Sequence, residues 1–147
     1  MQRPASLLCA AELSQFVAVD IQGRLAGAMP ENEREWVLRH ASILAEAAGK
    51  LKVPVVATEQ SPKGLGPTAE PVAEALPPAT PLFEKTCFSC GGAKGFLDTL
   101  GAGNRNQIVL AGMETHVCVL QTALELQGHG FQVFVVEDAV CSRRPAN

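Results

Sequence analysis

Short apolar runs alternate along the chain with amphipathic or polar stretches. Runs of Val, Ile, Leu, Phe and Ala without polar alternation predict strands that are buried on both faces. These runs are residues 16–19, 53–57, 108–111 and 131–136, and Leu82 to Lys85 is a shorter strand candidate. Strands that alternate with helices need right-handed crossovers. The pattern therefore predicts a three-layer α/β fold, Rossmann-like, with a parallel sheet and helices on both of its faces.

The helical pattern is strongest from Glu31 to Lys50, where acidic residues come early and a lysine comes late, as the helix dipole favours. Shorter helices are predicted for residues 95–101, for residues 117–128 and near residues 68–76. The segments 23–30 and 61–81 are predicted to be mostly loop, because the second is rich in Pro and Gly.

The composition is that of one globular domain covering residues 1–147. Hydrophobic residues make up 47% and charged residues 18% of the chain, which suits a buried core. Because the net charge is -3, we do not expect nucleic acid or an anionic membrane as a partner. The apolar stretch at Leu7 to Ala11 is too short for a secretory or membrane-spanning segment. We therefore expect a cytoplasmic protein.

Five cysteines at irregular spacing predict free thiols in a reducing compartment. Cys87 and Cys90 form a C-x-x-C pair, so a redox-sensor function stays open as a weaker hypothesis. A zinc site would need a second ligand pair, and the three histidines are scattered. No metal or cofactor is therefore expected.

Cys118 follows the predicted strand 108–111 and a break at Gly112, and it lies where the next helix begins. A thiol at a helix start meets unpaired N–H groups and the positive end of the dipole, which both favour the thiolate. Such a pattern is typical of a nucleophile beside an oxyanion hole. The alternative is a small buried core cysteine.

Polar residues end several of the predicted strands and should lie along one edge of the sheet. They are Asp20, Glu59, Gln60, Lys85, the 113–118 segment and Asp138. Asp20 could accept the proton of Cys118, and Lys85 could stabilise both the carboxylate and the developing thiolate. The alternatives are that Asp20 caps a turn and that Lys85 pairs with Glu84 in solvent.

Several motifs together resemble the isochorismatase-like cysteine hydrolases, and among them most closely the isochorismatase domain-containing subgroup. The motifs are Val19–Gln22, Thr58–Gln60, Phe83–Phe88, Gly112–Ala123 and Val136–Arg143. The resemblance runs from about Phe16 to Arg143, nearly the whole chain.

The resemblance implies a catalytic triad of Asp20, Lys85 and Cys118. It also implies a cis peptide between Met113 and Glu114, and an oxyanion hole formed by the backbone N–H groups of Glu114 and Cys118. Gln22, Gln60 and Phe88 are implied near the substrate pocket, with a turn or core role as the equal alternative. Nicotinamidases of this family hold a metal through an Asp-x-His segment, but residues 59–62 contain no histidine.

The predicted function is cysteine-dependent hydrolysis of a small carbonyl substrate, an amide or carbamoyl C–N bond, through a thioester. The alternative is a catalytically silent binding or scaffold protein with the same fold. The family fold has a further strand and helix after the Val136–Arg143 motif, so we expect a C-terminally incomplete domain or a partner over that edge. The family habit also predicts a homo-oligomer, a dimer or larger.

Overall fold

The structure is a computed structural model that describes residues 7–147, with one parallel sheet at its centre. Five strands lie in the order β3-β2-β1-β4-β5, and every neighbouring pair is parallel. The strands are β1 (Ser14–Val19), β2 (Val55–Gln60), β3 (Leu82–Lys85), β4 (Gln107–Met113) and β5 (Gln132–Cys141). The predicted α/β fold with a parallel sheet is confirmed.

Helices cover both faces of this sheet. They are α1 (Gly23–Gly27), α2 (Glu31–Leu51), α3 (Pro62–Leu65), α4 (Glu70–Ala75), α5 (Phe96–Ala102) and α6 (Leu120–Gly128). Side chains of α1, α2 and α4 share one apolar cluster with Phe16 and Ala18. Side chains of α5 and α6 share a second cluster with Val17 and Val19. This alternation along β1 explains why the strand has no polar position between Phe16 and Val19: both of its faces are buried.

The register of the strands brings four chain segments to one edge. Val19, the last residue of β1, pairs with Thr58 of β2 on one side and with Gly112 of β4 on the other. Lys85 at the end of β3 pairs with Gln60. The carboxyl ends of four strands therefore meet where a parallel sheet usually carries its functional groups.

Two expectations about the last strand and the loops were wrong. Asp138 does not end a strand at the shared edge, because β5 continues to Cys141 after a register shift opposite Leu110 and Gly112. Its side chain is 61% exposed and lies beside His40 of α2 instead. The segment 23–30, predicted as loop, contains the short helix α1.

The strand β5 forms one edge of the sheet within residues 7–147, and β3 forms the other. Large apolar side chains are exposed on β5 and on α6, which contacts β5: Val135 on the strand, and Leu120 and Leu124 on the helix. Between residues 7 and 147, no helix combines the length and the apolar character that crossing a bilayer requires.

Candidate active site

The close approach of β4 to β1 depends on Gly112. Its φ is +142°, and a Cβ there would overlap the carbonyl oxygen of Val19 and lie 2.8 Å from Val19 Cβ. Only glycine accepts both the backbone conformation and the contact. Gly112 thereby lets the segment after β4 lie against the end of β1, where Asp20 is located.

Asp20 is completely buried and has a left-handed backbone conformation, with φ of 51°. Aspartate tolerates this region better than most residues, and such conformations concentrate at functional sites. Its Oδ1 accepts a hydrogen bond of 2.7 Å from the Thr58 hydroxyl. Its backbone N–H donates to the Thr58 carbonyl oxygen at 3.2 Å. Asp20 is therefore not a solvent-exposed turn cap.

Lys85 directs its ammonium group inward from β3, and its side chain has no exposed surface. Nζ lies 2.7 Å from Asp20 Oδ2 and 2.7 Å from Gln60 Oε1. It also donates to the carbonyl oxygens of Phe88 at 2.9 Å and Cys87 at 3.0 Å. The alternative pair with Glu84 in solvent is wrong for this structure, because Lys85 is buried against Asp20.

Cys118 lies in a π-helical turn, Thr115–Val119, that continues directly into α6. Helix formation thus begins slightly earlier than predicted, and in a wider turn of a type that is frequent at functional sites. Cys118 is 6% exposed, and its Sγ lies 3.6 Å from Lys85 Nζ. Lys85 therefore contacts both the acid and the thiol.

The resting Cys118 is a thiol, and the expectation of a thiolate is wrong. Burial raises its pKa to about 12, and the neighbouring Asp20 carboxylate adds to the rise by its charge and by a hydrogen bond, whereas Lys85 lowers it. The buried negative charge of Asp20 disfavours a second one next to it. For Lys85, burial is the largest single effect and would lower the pKa, but the charge of Asp20, its hydrogen bond to Lys85 and the nearby Cys90 and Cys118 together outweigh burial, and the pKa is raised.

The peptide bond between Met113 and Glu114 is cis, at the place that the family resemblance implies. The Glu114 side chain pairs with Arg143, whose Nε lies 3.1 Å from Oε1 and whose Nη2 lies 3.2 Å from Oε2. Burial would raise the pKa of Glu114, but Arg143 outweighs it and the pKa is lowered. The Glu114 side chain thus acts as a structural anchor, and the oxyanion hole stays a prediction about backbone groups.

The three residues implied near the pocket have different surroundings. Gln22 has no exposed surface, and its amide donates to the carbonyl oxygens of Gln60 and Gly66 while its Oε1 accepts from Gln60 N–H. Both ends of the amide therefore bind backbone, which is the structural turn role given above as the alternative; a substrate contact by Gln22 stays a prediction. Gln60 contacts Lys85 directly, and the Phe88 ring is 55% exposed beside the site.

Two residues near Asp20 were missed in the sequence. Thr58 Oγ1 donates to Asp20, so the Cys90 thiol, 3.5 Å from the same oxygen, is the donor in that contact. Burial, with Asp20 as a second cause, raises the pKa of Cys90 to about 11. One feature of the sequence could have indicated Thr58: it directly precedes Glu59 and Gln60, the polar pair at the end of a predicted strand.

The C-x-x-C pair has its two thiols in unlike places. Cys87 is exposed and Cys90 is buried, and neither forms a disulfide. Over residues 7–147, no group of three or more His, Cys, Asp or Glu side chains is arranged to hold a metal ion.

The fold and this strand-end site define the class of protein. The family model described as the isochorismatase domain matches residues 14–147, and the chain belongs to the isochorismatase family. It is 42% identical over 109 residues to isochorismatase domain-containing protein 2 of Bos taurus, an alignment that covers 73% of this chain and 50% of that protein. The predicted family and its isochorismatase domain-containing subgroup are confirmed.

Other relatives agree with this assignment. Isochorismatase family protein 1B of Dictyostelium discoideum is 34% identical over 135 residues, covering 89% of this chain and 64% of that protein. The solved structure of MAR1 ribonuclease from Caenorhabditis elegans aligns with a TM-score of 0.87 at 36% identity, covering 94% of this chain and 69% of that chain. The chain thus spans about half to two thirds of these relatives.

Proposed function

We propose that this protein is a cysteine-dependent hydrolase that cleaves an amide or carbamoyl C–N bond of a small carbonyl substrate. One observation carries the proposal: a single buried ammonium group, Lys85 Nζ, lies 2.7 Å from Asp20 Oδ2 and 3.6 Å from Cys118 Sγ. A carboxylate that can take up and return a proton, a cation and a thiol within contact of one another are the groups that nucleophilic acyl transfer needs.

In the first half of the reaction, the Cys118 sulfur attacks the carbonyl carbon while its proton passes to Asp20. Because the pKa of the thiol is raised to about 12, proton removal must accompany the attack. The carbonyl oxygen gains the negative charge, which the backbone N–H groups of Glu114 and Cys118 would stabilise. Protonated Asp20 then gives its proton to the leaving nitrogen, the C–N bond breaks, and a thioester remains.

In the second half, Asp20 removes a proton from water, and the oxygen of that water attacks the thioester carbon. The C–S bond breaks, the sulfur regains a proton, and the acid product leaves. Lys85 stays protonated throughout, since its raised pKa keeps the positive charge between Asp20 and Cys118. Its charge offsets the negative charge that moves between these two groups.

The substrate is proposed to be a small molecule, because the net charge of -3 offers no field for a polyanion. The Caenorhabditis elegans neighbour is named a ribonuclease, so an RNA substrate belongs in the screen below. Self-association into a homo-oligomer is also proposed, supported by the exposed apolar residues Leu120, Leu124 and Val135 beside an edge strand.

A catalytically silent binding protein is the second candidate. One observation favours it: Cys118 is only 6% exposed, and this burial raises the pKa of its thiol to about 12, so the thiol is a poor nucleophile unless Asp20 assists. The two candidates differ in whether Asp20 and Cys118 act together.

The test is a screen of small amides, ureides and carbamates for ammonia release, with a short RNA tested in parallel for cleavage. Cys118→Ala is the blank, and Cys141→Ala is the matched control because Cys141 is a buried thiol outside the triad. We expect at least one amide to be turned over by the unaltered protein and by Cys141→Ala, but not by Cys118→Ala. Equal turnover by Cys118→Ala would contradict the proposal. Cleavage of the RNA without hydrolysis of any small amide would show that the substrate is RNA and not a small carbonyl compound.

A further inference from the structure

The Lys85 ammonium has more acceptors than protons. Four oxygen atoms lie within 3.0 Å of Nζ, and the Cys118 sulfur lies at 3.6 Å. Because an ammonium group has three N–H donors for these five acceptors, the oxygens compete with the sulfur, and the contact to sulfur depends on where the oxygens hold Nζ. The position of those oxygens therefore sets how strongly Lys85 acts on Cys118.

Two of these oxygens belong to a segment without regular structure. They are the backbone carbonyls of Cys87 and Phe88, and both of these residues have exposed side chains. Since the 86–89 segment buries little of its own surface, its conformation depends on the contacts at its downstream end.

The downstream end is attached to the helix that carries Cys118. The Ser89 hydroxyl donates to the Glu125 carboxylate, and it also accepts from Gly91 N–H at 3.2 Å. Cys90 N–H donates to the completely buried Thr122 hydroxyl at 2.9 Å.

The fit at this attachment is close. A Cβ on Gly91 would lie 2.7 Å from Glu125 Oε1, so glycine at this position lets the carboxylate approach. Cys118, Thr122 and Glu125 are spaced four and then three residues apart, which puts them on one side of the helix.

We infer that Ser89, Thr122 and Glu125 form a clamp that holds the 86–89 segment against α6 and thereby fixes Lys85 Nζ relative to Cys118. These three are positioning residues, which act on the thiol through Lys85. The inference goes beyond the proposed function and rests on it for its catalytic meaning. The quantity that the clamp would control is the distance between Lys85 Nζ and the Cys118 thiol, and this distance does not depend on any substrate.

The test measures the rate at which iodoacetamide alkylates Cys118, at one fixed pH, by peptide mass spectrometry. Lys85 favours the thiolate, so a loosened clamp leaves less thiolate and slows alkylation. We expect Ser89→Ala and Glu125→Ala to slow alkylation about threefold to tenfold, equivalent to a pKa rise of up to about one unit. Gln121→Ala, at an exposed position of the same helix, is the matched control and should label at the unaltered rate.

Two further variants separate positioning from a general loss of structure. Thr122→Ser keeps the hydroxyl and should retain the alkylation rate, whereas Thr122→Val removes it and should not. In a Lys85→Met background, Ser89→Ala should have no further effect, because the clamp acts through the missing ammonium group.

The outcomes decide the inference without reference to turnover. Alkylation at the unaltered rate in both Ser89→Ala and Glu125→Ala would overturn it, as would an equal slowing in the Lys85→Met background. If Thr122→Val or Lys85→Met does not fold, the half-buried Ser89 gives the result by itself through Ser89→Ala. If labelling responds as expected while no amide is hydrolysed, the clamp stands and the proposed function fails.

Discussion

Replacing Asp20 by asparagine is expected to speed the alkylation of Cys118 and to slow catalytic turnover. Asp20 raises the pKa of the thiol by its charge and by a hydrogen bond, and Lys85 lowers it. The Asp20→Asn side chain would keep the shape of the carboxylate but would lose its charge, and an amide NH2 group would replace one of the two oxygens that accept from Thr58 and Lys85. The thiolate would become easier to form, yet no group would remain to take the proton during the attack.

The magnitude follows from the pKa of the thiol. With a pKa of about 12, roughly one molecule in 10⁴ carries a thiolate at about pH 8. Each unit by which Asp20→Asn lowers that pKa raises the thiolate population about tenfold, and the alkylation rate follows it. Loss of a general base costs about 10²-fold to 10⁴-fold in turnover.

The assay compares two rates on the same preparation. Iodoacetamide labelling of the Cys118 peptide reports the thiolate, and ammonia release from an amide found in the screen reports catalysis. Glu84→Gln is the matched control, since it removes an exposed carboxylate from the residue next to Lys85 without touching the buried pair. It should change neither rate.

A parallel response would refute the reasoning. If Asp20→Asn slows both rates together, Asp20 serves to hold the site in shape and its charge does not set the pKa of the thiol. If it speeds both, the thiolate attacks without assistance and Asp20 is not the base.

Three further predictions concern stability. Lys85→Met should lower the free energy of unfolding by about 3–5 kcal/mol in urea, because it leaves the buried Asp20 carboxylate without its ion pair. The double variant with Asp20→Asn should lose less than the sum of the two single losses. Additive losses would contradict this. Burial raises the pKa values of the Cys90, Cys118 and Cys141 thiols to about 11, 12 and 11. Above pH 9.0 the folded chain therefore retains protons that the unfolded chain releases. The free energy of unfolding should fall as the pH rises, by up to about 1.4 kcal/mol per pH unit for each thiol. A midpoint of urea unfolding that stays constant from about pH 8 to about pH 10 would refute it. Gly112→Ala should prevent folding or cost several kcal/mol, while Gly101→Ala, where a Cβ meets nothing within 4 Å, should be near neutral in thermal melting.

The sheet was predictable because its strands are marked by composition. The apolar run at the centre of β1 lies between two apolar clusters and has no polar position, so the sequence itself indicates a strand that is buried on both faces. The strand Leu82–Lys85 has the predicted bounds, since Pro81 precedes it and irregular structure follows. Strand ends in parallel sheets share an edge, which is why Asp20, Lys85 and Cys118 could be grouped before any coordinates.

The electrostatics of the site could not be predicted from the same letters. A helix start favours a thiolate, but burial and the proximity of Asp20 are tertiary effects, and they reverse the direction of the pKa shift of Cys118. The role of Gln22 was open for a similar reason: a glutamine after a strand can face a ligand or bind backbone, and only the path of the loop at Gly66 decides between them.

The bend at β5 was also outside the reach of sequence patterns. Residues 131–136 have the composition of a buried strand, and Glu137 and Asp138 suggested its end. The register shift lets the strand continue with Ala139 and Cys141 buried, while Asp138 points toward His40. A bulge has no strong local signature, so its position follows from pairing with β4.

The most direct test of the account is to trap the acyl group on Cys118. The protein is mixed with p-nitrophenyl acetate, a small activated carbonyl compound, quenched in acid within seconds and digested for mass spectrometry. We expect an acetyl thioester on the Cys118 peptide that is absent in Cys118→Ala. Release of nitrophenolate with acetyl on another residue, or at the same rate in Cys118→Ala, would contradict the claim that this thiol is the nucleophile.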